Sequence, residues 1–254
     1  MDRITSAPSP VARKADVVAR ALLTRIVGGE LAVGSLLPKE AELAEEHGVN
    51  RSVVREAIKL LEVHRLVQPR RRRGTEVLDP LASLSPEVLG AMLTPRPGMV
   101  DLEVFADLLE IRASIDVQMT ELAAARRTDA DLAEMERCLV RLDAAMGDAR
   151  SYSHEMGRLA QALARATQNR IYLMLVLWHE QVHADLGDIM LTVRQPGRPH
   201  SQGLRHLVDL IAKRDVSGVS MMVAAFHQWA TPRLLAVAAL RSGLPLSEAF
   251  GDTR

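Results

Sequence analysis

The sequence predicts a mainly α protein in two parts, an N-terminal winged helix-turn-helix domain and a C-terminal all-α bundle of about seven helices. Three observations predict it. Residues 37–77 carry two short helical patterns separated by a Gly-bearing turn, then an arginine run between two strand-like segments. Beyond Pro86, helical patterns follow one another with only Pro- and Gly-containing breaks. The chain is rich in Ala, Leu and Val, and only 3% of it is aromatic, a composition that favours helices over sheet.

Residues 1–10, with Pro8 and Pro10, are expected to be disordered. A first helix over 11–27 follows from Val18, Leu22 and Ile26 and ends at Gly28-Gly29. Pro38 suits a helix start, and good helix formers run from Lys39 to His47. Gly48 ends that helix and Asn50 is an N-cap for the next. The turn between them is about three residues, as a helix-turn-helix requires. In the second helix Val54, Ala57, Ile58 and Leu61 form a buried stripe, so Arg51 and Arg55, four apart, share another face near the N-terminus. That end of a recognition helix meets base edges, and arginine pairs with guanine O6 and N7 through two hydrogen bonds. Lys39, Asn50, Arg51, Ser52 and Arg55 are the candidate contacts.

Segments 66–68 and 75–77 read as the arms of a small hairpin, with Arg70, Arg71, Arg72 and Arg73 at its tip and Gly74 easing the return. Four adjacent cations repel one another unless an anion neutralises them, and a DNA backbone or minor groove supplies one. An arginine run alone reads equally well as a solvated loop. Beside a helix-turn-helix, the DNA reading gains weight.

The formal net charge is zero, but the average hides an asymmetry: residues 1–78 hold 14 Lys+Arg against 10 Asp+Glu, and the remainder 18 against 22. The basic part is the part with the motif. Cys138 is the only cysteine, so one chain can form neither a disulfide framework nor a thiolate zinc cluster. No apolar run approaches the roughly 20 residues of a membrane span and no signal-peptide core is present, which leads to an expected cytoplasmic location with no membrane partner.

Residues 12–77 resemble the GntR-type winged-helix domain through Leu37-Pro38, Glu40, Glu42-Leu43-Ala44, Gly48-Val49, Arg51, Val54-Arg55-Glu56-Ala57 and Leu61-Glu62. There are three departures. Ala41 stands where the family usually has a DNA-contacting arginine, Arg65 replaces a glycine, and Arg72 replaces the wing-tip glycine. The resemblance implies a homodimeric transcriptional regulator, a repressor by family habit, with two recognition helices entering the major grooves of a near-palindromic duplex operator. The domain is expected over 11–78, followed by a linker over 79–85.

The C-terminal domain is expected over 86–240, with a tail over 241–254. Helices are placed at 86–93 and 102–126, from a Thr128/Asp131 capping box to 147, and at 151–167, 171–193, 201–213 and 216–230. Pro232 is expected to kink the last before it resumes to 240. This half resembles the effector-binding domain of the FadR-like (FCD) subgroup, through Leu109-Glu110-Ile111-Arg112, Arg127-Thr128-Asp129-Ala130-Asp131-Leu132 and Ala162-Leu163-Ala164-Arg165-Ala166-Thr167-Gln168-Asn169. The resemblance implies a bundle enclosing a ligand pocket. Many members bind a carboxylate effector on a divalent metal held by an Asp, a His four residues later and two further His. The resemblance places these at Met156, Ala160, Leu204 and Phe226, all apolar here. Such groups cannot ligate Zn²⁺ or Mn²⁺.

The expectation is therefore a pocket without metal or other cofactor that takes an apolar effector such as a fatty acid or acyl-CoA; alternatively the four residues simply fill the core. His206 and His227 lie near the later positions, and with His154 a register slip would restore a metal-dependent carboxylate site. Arg112 matches an effector-facing arginine of the subgroup, and its other reading is a buried ion pair with an acidic neighbour.

One motif points elsewhere. His179-Glu180-Gln181-Val182-His183 satisfies the H-E-x-x-H pattern of zinc metallopeptidases. A third ligand is required, and no Glu occurs between Glu180 and Glu248, leaving Asp185 or Asp188 as poor substitutes. A zinc metallohydrolase is the alternative reading; a regulator with no catalytic residues is the one adopted. Trp178 beside the motif is read as an interface or pocket aromatic.

Overall fold

The computed structural model describes residues 10–182 and 186–246. The expectations for residues 1–9 and for 247–254, and for His183 and Asp185, fall outside these. The chain divides into two compact units, Met1–Pro97 and Gly98–Arg254.

In the N-terminal unit, helix α1 spans Pro10–Val27, α2 Glu40–Glu46 and α3 Arg51–Val63. Strands β1 (Val67–Arg70) and β2 (Gly74–Val77) form an antiparallel hairpin with Val67 opposite Val77 and Arg70 opposite Gly74. The segment before α2 extends this small sheet: Leu37 N–H donates to Thr75 O at 2.8 Å and Val77 N–H to Ser35 O at 2.9 Å. A 3-10 turn, Pro80–Ala82, leads to α4, Pro86–Leu93, which Ser85 caps through its Oγ. Leu22, Leu43, Val54, Ala57, Leu61 and Leu66 form the centre of the core, each at most 1% exposed.

Several expectations shift locally. Helix α2 begins at Glu40 because Lys39 is extended at the cap position, where its N–H donates to Glu42 Oε2 at 3.0 Å. Asn50 occupies the N-cap of α3, but its side chain makes no cap hydrogen bond. Val53 joins the buried stripe while Ile58 is only half-buried. Arg70 lies in the strand, so the wing tip is Arg71–Arg73, with Arg72 at φ 61° and Gly74 at φ 115°. Helix α4, expected with the C-terminal bundle, packs against α1 in the N-terminal unit through fully buried Val88.

The C-terminal unit contains α5 (Leu102–Arg126), α6 (Asp129–Ala144), α7 (Ala149–Ala166), α8 (Arg170–Val182), α9 (Gly187–Leu191), α10 (Arg198–Ala212) and α11 (Val216–Arg241). The starts of α5, α6, α7 and α11 follow from side-chain caps at Asp101, Thr128, Asp148 and Asp215. The Thr128/Asp131 capping box forms, with Asp131 N–H on Thr128 Oγ1 at 3.2 Å and Thr128 N–H on Asp131 Oδ2 at 2.9 Å. The expected single helix over 171–193 is instead α8 and α9. Helix α11 runs through Pro232: buried Ala230, Leu234 and Ala238 hold it against its neighbours on both sides of the missing N–H. It packs chiefly on α5, and α6, α7 and α10 complete the bundle around Met135, Leu142, Tyr152 and Ile211.

Arginines close the C-terminus of α5, where the last carbonyls lack helical partners. Arg214 donates to Ala125 O at 2.7 Å and to Arg127 O at 2.9 Å, while Arg127 donates to Ala212 O at 2.6 Å. This clasp ties the α10–α11 turn to the end of α5.

Candidate functional site

The N-terminal unit exposes the cationic residues of the recognition helix and the wing. Burial of Val53, Val54, Ala57 and Leu61 turns the opposite face of α3 outward, so that Asn50, Arg51, Ser52 and Arg55 are all exposed. Lys39 is exposed at the start of α2, and Arg70, Arg71, Arg72, Arg73 and Gly74 are exposed on the wing. All ten predicted contact residues are thus open to a partner. Two of the arginines carry carboxylate partners that sequence reasoning did not assign: Arg55 Nε donates to Glu40 Oε2 at 2.7 Å, and Arg70 Nε donates to Glu76.

Arg65, at φ 57°, sits just past the end of α3, where Leu66 N–H returns to Leu61 O at 2.9 Å. This hydrogen-bonded helix end favours glycine. Both positions where the family glycine is replaced by arginine, Arg65 and Arg72, therefore lie in the left-handed region.

The C-terminal unit contains a partly open cavity of about 1090 Å³. Arg112, Met156, Ala160, Leu204 and Phe226, the five predicted effector residues, all line it. Its walls are mostly aliphatic, supplied by residues such as Ile115, Met119, Leu163, Val176, Leu207 and Val223. Polar side chains, among them Arg150, His154, Arg158, Gln161, Arg194 and His200, also line the cavity, and a hydrogen-bonded polar cluster lies where α5 meets α11. Arg112 Nε and His227 Nε2 both donate to Asp116 Oδ2, at 3.3 and 3.1 Å. Asp116 lies four residues after Arg112, so the ion pair is local, whereas His227 arrives from the far end of the sequence. Burial raises the Asp116 carboxyl, but the His227 hydrogen bond and the Arg112 charge outweigh it and hold the group below its ordinary value. His179 of α8 also lines the cavity. Burial, reinforced by Arg112 and opposed by Asp116, lowers it to about 4, so it is neutral at pH 7.

A metal does not fit the positions that the resemblance assigns to it. The thioether of Met156, the methyl of Ala160, the isobutyl of Leu204 and the phenyl of Phe226 provide no donor set for a hard divalent ion. His154 and His227 also line the cavity, while His206 is exposed and absent from the lining. Among the described residues, no three His, Cys, Asp or Glu side chains are grouped to hold a metal.

Glu180 of the H-E-x-x-H sequence accepts from Gln161 Nε2 at 3.1 Å. Gly157 makes room for this contact, since a Cβ there would stand 2.9 Å from Glu180 Oε1. Glu180 is thus a link between α8 and α7; His183 lies outside the described residues. Trp178 is half-buried, with its ring 5.5 Å from that of His179.

Comparison with known proteins places both units. Residues 14–77 match the family of bacterial regulatory proteins of the gntR type, and residues 107–227 match the FCD domain. The Uxu operon transcriptional regulator of Escherichia coli is 30% identical over 187 residues, covering 69% of this chain and 70% of that protein. The chain belongs to the GntR family. The galactonate operon transcriptional repressor of E. coli is 29% identical over 164 residues, covering 64% of this GntR-family chain and 70% of its own. The solved structure of Lar, described as controlling the expression of the Listeria monocytogenes agr system, shares the fold with a TM-score of 0.57. It is 17% identical and covers 91% of this chain and 98% of its own. The winged helix-turn-helix and the FCD bundle make this a transcriptional regulator that binds operator DNA, and its relatives are regulators, not enzymes. No described helix is long and apolar enough to cross a membrane.

Proposed function

We propose that this GntR-family regulator is a homodimeric repressor whose hold on its operator is set by a small molecule with a largely apolar body, bound in the C-terminal cavity without a metal. The observation that carries the reading is the cavity of about 1090 Å³, walled largely by aliphatic side chains, with the hydrogen-bonded group Arg112–Asp116–His227 among its polar lining residues. Mostly apolar pockets with a few fixed polar groups are the usual form of a small-molecule site. Met156, Ala160, Leu204 and Phe226 give such a ligand apolar contacts, and Arg112 supplies a charged fork for a polar end. Repression accords with the galactonate operon relative, which is named a repressor. In the DNA-binding unit, Lys39, Asn50, Arg51, Ser52 and Arg55 would meet one groove, and Arg70–Arg73 with Gly74 the adjoining backbone or minor groove.

A ligand acts on operator binding only if it has different affinities for the DNA-competent and incompetent arrangements of the protein. The test starts from the purified full chain after chelator treatment and an operator selected from random duplex. Fatty acids, acyl-CoA thioesters and short hydroxycarboxylates are screened by thermal shift, and binders are then titrated into the protein–operator complex. A long-chain ligand that raises Tm and weakens operator binding about tenfold or more supports the reading. Response only to a short carboxylate with added Zn²⁺ or Mn²⁺ overturns it.

A further inference from the structure

Arg55 extends from the recognition helix toward the start of α2, where Glu40 accepts its Nε–H at 2.7 Å. The two side chains are 63% and 37% exposed. An ion pair this open to water adds little to stability, so its consequence lies in where it holds the guanidinium.

Guanidinium carries five N–H donors in a planar fork. With Nε–H directed at Glu40, the Nη groups retain the parallel donors that match guanine O6 and N7. A long, flexible side chain is thereby ordered before DNA arrives, which reduces the ordering required on binding. The carboxylate is itself fixed in place. Glu40 is the first residue of α2, where the helix dipole favours an anion, and the turn is closed by Lys39 N–H on Glu42 Oε2 at 3.0 Å. Ala41 beside it contributes only a methyl group, so no cation at the next position competes for Glu40. The wing repeats the arrangement, with Arg70 Nε on Glu76.

A carboxylate beside the recognition helix also repels phosphates within a Debye length, about 8 Å at physiological salt. Its charge therefore opposes binding to any duplex equally, while its hydrogen bond fixes the direction of one arginine. Together these raise the ratio of specific to non-specific affinity.

We infer that Glu40 is a specificity-determining positioning residue: it holds Arg55 by Nε, turns the Nη edge toward a guanine, and disfavours a phosphate contact by the same arginine. The inference rests on the base-contact role proposed for Arg55, and the experiment separates the two.

The full chain is used to select an operator from a random duplex pool. Wild type, Arg55→Ala, Glu40→Gln and the double variant are then measured by fluorescence anisotropy against that operator, every single-base-pair substitution of it, and an unrelated duplex. Arg55→Ala is expected to erase preference at one or two G·C pairs per half-site. Glu40→Gln is expected to reduce preference at those same pairs about fivefold, leave the others unchanged, and tighten binding to the unrelated duplex. The double variant should match Arg55→Ala. Glu40→Asp keeps the charge on a shorter arm and suits the start of a helix; it should show the same relaxed preference, which guards against misfolding as the cause.

An unchanged preference profile in Glu40→Gln overturns the inference, as does an equal loss at all positions or an effect that persists without Arg55. If Arg55→Ala leaves every preference intact, Arg55 is not a reader and the inference falls with that assignment.

Discussion

Asp116 and His227 stand 111 residues apart in sequence and meet at 3.1 Å in the wall of the C-terminal cavity. Arg112 shares the same carboxylate oxygen, so one group joins α5 to α11 and places a buried charge cluster in a largely apolar wall. Replacing Asp116 by Asn removes the charge that Arg112 and His227, with side chains 12% and 10% exposed, both contact. Asp116→Asn is expected to lose about 2 kcal/mol of stability at pH 7, read from urea denaturation. The folded-state pKa of Asp116 is depressed, so its contribution is present above the unfolded value of about 3.9 and is lost as pH falls through the folded value. The wild type and Asp116→Asn should therefore converge in strong acid. A constant difference down to the lowest pH would assign the loss to packing instead.

His179 predicts a second pH dependence in a milder range. Its pKa is lowered to about 4 in the folded state by burial and then by Arg112, against an ordinary value of 6.5. Between those values the unfolded chain binds the extra proton, so stability falls as pH drops from about 6.5 toward 4. His179→Asn should flatten that stretch of the curve when urea midpoints are compared at pH 7 and pH 5. Equal slopes in variant and wild type would show that other groups titrate there.

Arg71, Arg72 and Arg73 are exposed at the wing tip, and each is expected to neutralise a phosphate. Single alanine substitutions should weaken binding to all duplexes alike and reduce the log–log salt slope by about 0.9 each. Arg51→Ala should instead remove preference at particular base pairs. A wing variant that alters base preference while keeping the salt slope would move the wing from backbone contact to base reading.

Local signals made much of this structure legible. The boundaries of α5 match because the Pro-Gly break before it and the Thr128/Asp131 capping box after it mark its ends, and Pro86 marks the start of α4. Signals that depend on distant partners were not legible. The register pairing Arg70 with Gly74 needs a left-handed Arg72, a conformation arginine does not advertise. Apolar spacing carries on through Leu186, so 171–193 reads as one helix although α8 and α9 are separate. Arg112–Asp116 could be read from its spacing of four. His227 could not be joined to that pair until α11 lay beside α5. The Glu40–Arg55 contact spans the turn between two helices, and its two residues appear in sequence only as separate family positions.

The left-handed arginines predict a stabilising substitution. For a residue with a Cβ, the left-handed region costs roughly 1–2 kcal/mol, and Arg65 at φ 57° closes α3 in a turn that glycine adopts freely. Arg65→Gly should raise stability by up to about 1 kcal/mol, the remainder being offset by the greater freedom of glycine in the unfolded chain. Urea midpoints of the two proteins check this. A lower midpoint in the variant would show that Arg65 makes a contact whose loss outweighs the relief.

Ala160 offers the most direct test of the cavity. Its methyl lines the space within the C-terminal unit, so a larger side chain can enter without displacing the packed core between α6 and α7. Overpacking a filled core costs about 1–3 kcal/mol, whereas Ala160→Phe directed into open volume should leave Tm unchanged or slightly raised. Operator binding without ligand should be retained, because Ala160 lies outside the DNA-binding unit, while the effector-induced change in operator affinity is lost. Thermal shift and anisotropy with the ligand from the screen read both effects. A full response in Ala160→Phe would place the effector elsewhere. A Tm drop of several degrees would show that Ala160 belongs to a filled core, and the apolar residues around it would then be packing and not a binding surface.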